Sequence, residues 1–142
     1  MAKLSYGGIY WSTPAATANV NGVAIKAAGT TTAMELGDFT MPANNRLTYT
    51  GADTRVFMAQ FAGSVSKAAG SSSETTYYLY LNGSPITGSL VGRTLSSSAE
   101  GAFAVSAVVE LALNDYVELW LEVDSEDDLT IQNGVLSAHV LG

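Results

Sequence analysis

The sequence predicts a single all-β domain, an antiparallel jelly-roll β-sandwich with a short N-terminal arm. Three observations lead to this fold class. Apolar residues recur at every second position in most runs, and almost nowhere at helical spacing. Turn-forming residues separate these runs at short intervals, which leaves no room for the helices of about ten residues that parallel βαβ units need. The length of 142 residues suits one domain.

Short strands are predicted in chain order between the turns. Asn21-Gly22, Asn82-Gly83 and the Asn44-Asn45 pair are turn formers. The strands predicted between such turns cover residues 8–11, 23–27, 34–39, 46–50, 55–67, 76–82, 89–95 and 134–141. A sandwich or barrel of antiparallel strands follows from this spacing.

The clearest alternation occurs in two consecutive runs, residues 103–113 and 116–124. In the second run, every other residue from Val117 to Val123 is apolar. The first run is rich in alanine, but its valines favour a strand over a helix. Asn114-Asp115 supplies a turn between them, so the sequence predicts one long antiparallel hairpin.

The N-terminus is predicted to be an arm over residues 1–20, outside a jelly-roll domain over residues 21–142. Residues 12–19 are small and polar and include Pro14. Residues 8–11 have strand character, so the arm is expected to add a strand to the edge of a capsid protein or a neighbouring subunit. The interface residues predicted in the arm are Tyr6, Ile9, Tyr10 and Trp11.

Composition excludes several classes of function. Six Lys and Arg against thirteen Asp and Glu give a net charge of -7, which repels nucleic acid. With no cysteine, the chain has no disulfide, thiolate nucleophile or zinc-thiolate site. The first residues lack the apolar stretch of a signal peptide, and no window holds the roughly 18 apolar residues of a membrane span. We therefore expect synthesis in the cytosol, and neither membrane nor nucleic acid as a partner.

Catalytic groups are scarce. The one histidine, His139, lies in the last predicted strand in phase with Val135 and Ser137, and is expected to be packed or at an interface. Glu118 and Glu122 lie on one strand face about 13 Å apart by strand rise, and are expected to be surface residues. No glycine-rich phosphate-binding motif precedes a helix, so we predict neither an enzyme nor a cofactor.

The acidic run of Asp124, Glu126, Asp127 and Asp128 is a candidate calcium site. Its carboxylates are hard oxygen ligands of the kind that calcium prefers. The run lacks the alternating Asp, Asn and Gly spacing of a dedicated calcium loop. A solvated turn that protects a sheet edge from aggregation is the alternative we favour.

Four aromatic residues are predicted outside the core. Tyr78 and Tyr80 share one strand face, while Tyr116 and Trp120 lie on the polar face of their strand. We therefore expect another group to shield the apolar Trp120 side chain from water. The alternatives are a satellite cluster under a loop, a subunit interface, where aromatic residues are enriched, and a surface on which carbohydrate stacks.

The order of motifs in the C-terminal part resembles the jelly roll shared by tumour necrosis factor and the globular heads of complement's first component. The Asn114-Asp115 turn is followed by an alternating strand, an acidic loop and a last strand over residues 134–141. In the middle of the chain, aromatic residues 77–81 precede Asn82-Gly83 and the strand after Pro85. The resemblance implies a ten-strand sandwich that forms a tight homotrimer and is used for binding. The first 20 residues lie outside it, and residues 4–10 instead resemble the start of small bacteriophage virion proteins.

These observations together favour a structural virion protein. The expected role is a bacteriophage capsid decoration or cement protein, a homotrimer that binds the major capsid protein on the outer surface of the virion and stabilises the shell. The alternative is a receptor- or glycan-binding tip of a phage fibre or spike, which would use the loops of residues 71–76 and 96–100.

Overall fold

The computed structural model describes residues 3–96 and 99–142. Its thirteen strands are β1 (Tyr6–Thr13), β2 (Ala16–Thr17), β3 (Ile25–Lys26), β4 (Thr30–Gly37), β5 (Phe39–Ala43), β6 (Arg46–Tyr49), β7 (Arg55–Lys67), β8 (Ser73–Leu81), β9 (Ser84–Pro85), β10 (Val91–Leu95), β11 (Glu100–Leu111), β12 (Tyr116–Val123) and β13 (Leu129–Val140). The described residues contain no helix.

The strands form two antiparallel sheets. Sheet I has the order β11-β7-β13-β1-β4, with β2 beside β13. Sheet II has the order β10-β8-β12-β6-β5, with β3 beside β12 and β9 beside β8. Non-consecutive strands are neighbours in both sheets, and the predicted all-β jelly-roll sandwich is confirmed. Within the part of the chain that the structure describes, there is no helix long and apolar enough to cross a membrane.

The core lies between the inner faces of the two sheets. In β7, Phe57, Ala59 and Phe61 alternate with more exposed residues and are completely buried. Tyr77 of sheet II stacks on Phe103 of sheet I with ring centroids 3.7 Å apart. The period of two in the sequence therefore fills one core from both sheets.

The predicted hairpin of residues 103–113 and 116–124 is wrong. Strand β11 pairs with β7 in sheet I, whereas β12 pairs with β8 in sheet II. The Asn114-Asp115 turn crosses from one sheet to the other. The backbone of Tyr49 binds it twice: the Tyr49 N–H donates to the Asp115 carbonyl, and the Tyr49 carbonyl accepts from the Asn114 N–H. Both strands bury alternate residues in the one core, but they do so from opposite sheets.

The predicted N-terminal arm over residues 1–20 is also corrected. Strand β1 lies inside sheet I between β13 and β4, and β2 pairs with β13. The side chain of Ile9 is completely buried, and the indole N–H of Trp11 donates to the Ala28 carbonyl. These core contacts make residues 6–17 part of the sandwich. Met1 and Ala2 lie outside the described residues.

Asn45 fills a gap in sheet II. Along one edge of β12, β3 pairs at Trp120 and Leu121 while β6 pairs at Tyr116 and Val117, which leaves Leu119 between them. The buried Asn45 amide donates to the Leu119 carbonyl at 2.8 Å and accepts from the Leu119 N–H at 2.9 Å. It also donates to the Ala27 carbonyl at 3.0 Å. One side chain thus takes the place of a missing strand residue and joins three segments.

We predict that Asn45→Ala lowers the free energy of unfolding by about 3 kcal/mol, because three buried hydrogen bonds worth about 1 kcal/mol each are lost. The positive φ of 54° at this position adds to the cost, since alanine disfavours it. Urea denaturation measures the change. Asn133→Ala, at an exposed asparagine of β13, is the control. Equal midpoints for the two variants would contradict the bridging role of Asn45.

Candidate functional site

The nine predicted interface residues separate into three groups. Ile9 and Trp11 point into the core, and with Trp11 only 4% exposed they cannot contact a partner. That part of the prediction is wrong, because alternation in β1 turns these two side chains inward. The residues on the outer face of sheet I are Tyr6, Tyr10 and His139, and those on the outer face of sheet II are Tyr78, Tyr80, Tyr116 and Trp120.

The outer face of sheet I carries an exposed apolar surface, which we call the apolar face. Its large apolar members are Tyr6, Tyr10, Met34, Val56, Val108 and Val135. Small residues such as Ala62 and Ala104 lie between them. The six lysines and arginines are all described, and alternation along the strands places none of them on this face. An exposed apolar surface of this extent, without a basic side chain, is typical of a contact site.

A shallow depression of about 320 Å³ lies at the β4 side of the apolar face. Strand β4 has one extra residue opposite β1, between the pairs Gly7–Leu36 and Ile9–Ala33. This bulge lets both Met34 and Glu35 line the depression. Its other lining residues are Tyr6, Gly7, Gly8, Val135, Ser137, Ala138 and His139. The mostly apolar lining suits an apolar side chain from another molecule.

His139 lies on the apolar face and is exposed. Its directly paired neighbours are Tyr6 of β1 and Met58 of β7, neither of which completes a Ser-His-Asp set. Its position therefore suits a contact surface better than a catalytic cleft.

The outer face of sheet II carries the aromatic patch, which consists of Tyr78, Tyr80, Tyr116 and Trp120. Trp120 stacks on Tyr80 with ring centroids 4.0 Å apart and planes 3° from parallel. Tyr78 meets Tyr80 edge to face at 6.0 Å, and the Arg46 guanidinium lies 4.1 Å from the centre of the Tyr116 ring. The rings therefore form one packed layer.

Glu118 lies beneath this layer and is only 1% exposed. One carboxylate oxygen accepts from Trp120 Nε1 at 3.1 Å. The other is 2.9 Å from Lys26 Nζ and 2.8 Å from Arg46 Nε. The expectation that Glu118 is a surface residue is wrong, because two cations and an indole compensate its buried charge.

Glu122, the other glutamate on this strand face, is half-buried at the edge of the patch and accepts a hydrogen bond from the Tyr78 hydroxyl at 3.0 Å. Burial, followed by this hydrogen bond, raises the pKa of Tyr78. Burial and the charge of Glu122 raise the pKa of Tyr80. Both phenols therefore stay protonated at neutral pH, and the Tyr78 hydroxyl donates to Glu122.

The acidic run of residues 124–128 points its carboxylates at different partners. Asp124 accepts from the Glu74 N–H at 2.9 Å, and Asp128 accepts from the Asn19 N–H at 3.3 Å. Asp127 pairs with Lys67 at 3.0 Å. Among the described residues, no three His, Cys, Asp or Glu side chains form a group that could hold a metal ion. The contacts of these carboxylates cap backbone groups and close a loop.

Lys67 is a residue that the sequence analysis missed. Its side chain is completely buried at the end of β7. The ammonium group donates to the carbonyls of Ala69 and Ser71 and to the carboxylate of Asp127. It thereby ties the loop after β7 to the acidic loop before β13, at one end of the sandwich.

No family model and no curated protein matches the chain. Solved structures match it over nearly its whole length. A crystal structure of murine APRIL at pH 8.5 has a TM-score of 0.63 at 10% identity, covering 98% of this chain and 100% of that one. Eiger TNF from S. frugiperda has a TM-score of 0.58 at 10% identity, covering 98% and 93%. The globular domain of zebrafish complement 1qA has a TM-score of 0.57 at 13% identity, covering 97% and 98%.

At these identities the likeness shows the fold. The chain has the jelly roll of the tumour necrosis factor and complement globular domains, as its C-terminal motifs predict. The resemblance of its first residues to bacteriophage virion proteins stays a prediction.

We predict that acid destabilises the protein partly through Asp127. Hydrogen bonds from Lys67 and Ser125 lower the pKa of Asp127 below its ordinary value of 3.8. A carboxyl whose pKa is lower in the folded state contributes stability above its unfolded pKa, and that contribution is lost as the pH falls through the folded pKa. The urea midpoint should therefore fall below about pH 4.

Asp127→Asn should make this fall shallower without removing it, because Asp38, bound by Lys3 and Ser5, also has a lowered pKa. Glu126→Gln is the control, since it leaves the pair of Lys67 and Asp127 intact. If Asp127→Asn and the parent lose stability equally steeply below pH 4, the Lys67 pair does not contribute as we describe.

Proposed function

We propose that the protein is a non-catalytic binding module that assembles as a homotrimer through the apolar face. The observation that carries this proposal is the exposed apolar outer face of sheet I, on which alternation places no lysine or arginine. Covering such a surface removes apolar area from water and stabilises the assembly. The resemblance to tumour necrosis factor and complement heads implies the same oligomer.

A closed trimer brings two different patches of each subunit together. The depression beside Met34 lies at the β4 side of sheet I, and Val108 lies on β11 at the opposite edge. Val108 is 59% exposed. In the proposed ring, the β11 edge of one subunit packs on the β1 and β4 region of the next.

The finer role we propose is decoration of a bacteriophage capsid. The trimer would bind the major capsid protein on the outer surface of the virion, after synthesis in the host cytoplasm. Residues 4–10 resemble small virion proteins, and the acidic, cysteine-free composition suits a coat component without genome contact. Bridging several capsid subunits stabilises the shell, because the bound trimer must dissociate before the subunits separate.

Because β1 belongs to the sandwich, it is not free to clamp the capsid. We assign this contact to the end of the sandwich where Lys67 joins the loops of residues 68–72 and 124–128. Loops held in one conformation lose little entropy on binding. The loop of residues 96–100 is only partly described, since residues 97 and 98 lie outside the described residues.

We predict a particle of three times the chain mass of 14.7 kDa by light scattering. Val108→Asp should shift it toward the monomer, because the aspartate would be buried without a partner. Leu90→Asp is the matched control: Leu90 is also 59% exposed, but precedes β10 of sheet II. A parent monomer at micromolar concentration, or an intact trimer of the Val108 variant, would overturn the assembly proposal.

We further predict saturable co-sedimentation with undecorated phage capsids, with trimers bound at equivalent sites. Lys67→Met should weaken this binding, because it frees the two end loops, while Leu90→Asp should not. Circular dichroism checks that both variants are folded. Binding to host cells alone, with none to capsids, would replace the decoration role by the receptor-binding alternative.

A further inference from the structure

Trp120 is held in one orientation by contacts on two sides. Its indole lies parallel to Tyr80 at 4.0 Å and covers that ring, which is only 9% exposed. Its Nε1–H donates to the buried Glu118 carboxylate at 3.1 Å. Trp120 itself stays partly exposed. Sheet II therefore presents an aromatic ring whose orientation is fixed before a ligand arrives, which lowers the entropy cost of binding.

The charges around this ring cancel. Lys26 and Arg46 share the Glu118 carboxylate, and Glu122 accepts from the Tyr78 hydroxyl. Two positive and two negative groups leave the aromatic patch without net charge, in a chain whose net charge is -7. The patch therefore attracts neither an anion nor a cation, yet it holds half-buried donors and acceptors beside the partly exposed indole.

We propose that the aromatic patch binds a neutral carbohydrate, with a sugar ring stacked on Trp120 and its hydroxyl groups hydrogen-bonded to Glu122 and Arg46. The C–H bonds on one face of a sugar ring carry partial positive charge and pack against the negative face of an indole. Sugar hydroxyls both donate and accept, so they match a carboxylate and a guanidinium together.

A protein partner suits this surface less well. The aromatic patch lies on a sheet face, its side chains are mostly half-buried, and its charges are already paired. A stable protein interface buries roughly 800 Å² on each side and gains specificity from unpaired complementary charges. The large exposed apolar side chains of the apolar face lie on the opposite sheet. The carbohydrate site is therefore independent of the trimer and of the capsid role.

Isothermal titration calorimetry of the full chain tests the proposal. The probes are three neutral hexasaccharides, cellohexaose, chitohexaose and maltohexaose, with a heparin hexasaccharide as the anionic comparison. We expect saturable binding of at least one neutral probe, at one site per chain. Trp120→Ala should weaken it at least tenfold, and Leu113→Ala, at an exposed apolar residue of the β11 to β12 connection, should leave it unchanged.

Trp120→Phe covers the case in which the alanine variant does not fold. It keeps an aromatic ring over Tyr80 but loses the bond to Glu118, so we expect an affinity between those of the parent and the alanine variant. Val108→Asp should bind the sugar like the parent. A failure of the trimer proposal can therefore be distinguished from a failure of the carbohydrate proposal.

Four outcomes would overturn the carbohydrate site. These are no saturable binding of any neutral probe, binding of the heparin fragment alone, undiminished binding by both Trp120 variants, and loss of capsid binding by a Trp120 variant when no sugar binds. The last would make the aromatic patch a protein contact.

Discussion

The hydrogen bonds between the Asn45 side chain and the Leu119 backbone fix β12, on which both the core and the aromatic patch depend. Strand β12 pairs with β8 along one edge and is completed by β3, β6 and Asn45 along the other. This register turns Leu119 and Leu121 into the core and Glu118 and Trp120 outward. A shift of one residue in the pairing of β12 would turn Glu118 and Trp120 into the core and expose Leu119 and Leu121.

The few charged residues of this chain mainly contact other groups of the same chain. Four of its six basic side chains form ion pairs: Lys3 with Asp38, Lys26 and Arg46 with Glu118, and Lys67 with Asp127. The pairs that contain Glu118 and Lys67 each compensate a charge buried by the sandwich. The basic residues thus lie on sheet II and at the ends of the sandwich, and none of them lies on the outer face of sheet I.

Alternation in the sequence predicts which residues form strands and which face the core, and β7 has the predicted limits of residues 55–67. It does not predict which strands are neighbours, so the 103–124 hairpin and the N-terminal arm were wrong. Pairing depends on residues distant along the chain, as when Tyr49 binds the turn at Asn114. Glu118 was wrongly expected at the surface for the same reason, since Arg46 lies 72 residues away in sequence. The aromatic patch was predictable because its residues lie on two strands with clear alternation.

The two outer faces differ in what a partner would add to them. In the described residues, every buried side-chain nitrogen and oxygen has a hydrogen-bond partner within the chain. The core is likewise complete in one copy. Folding therefore does not require a second subunit to satisfy polar groups. In the proposed trimer, the apolar face would stabilise the assembly through the area it removes from water. Such a trimer would form from folded subunits, and its population would depend on their concentration. The rings and charges of the aromatic patch are already fixed in the single chain, so the proposed carbohydrate site would not depend on assembly.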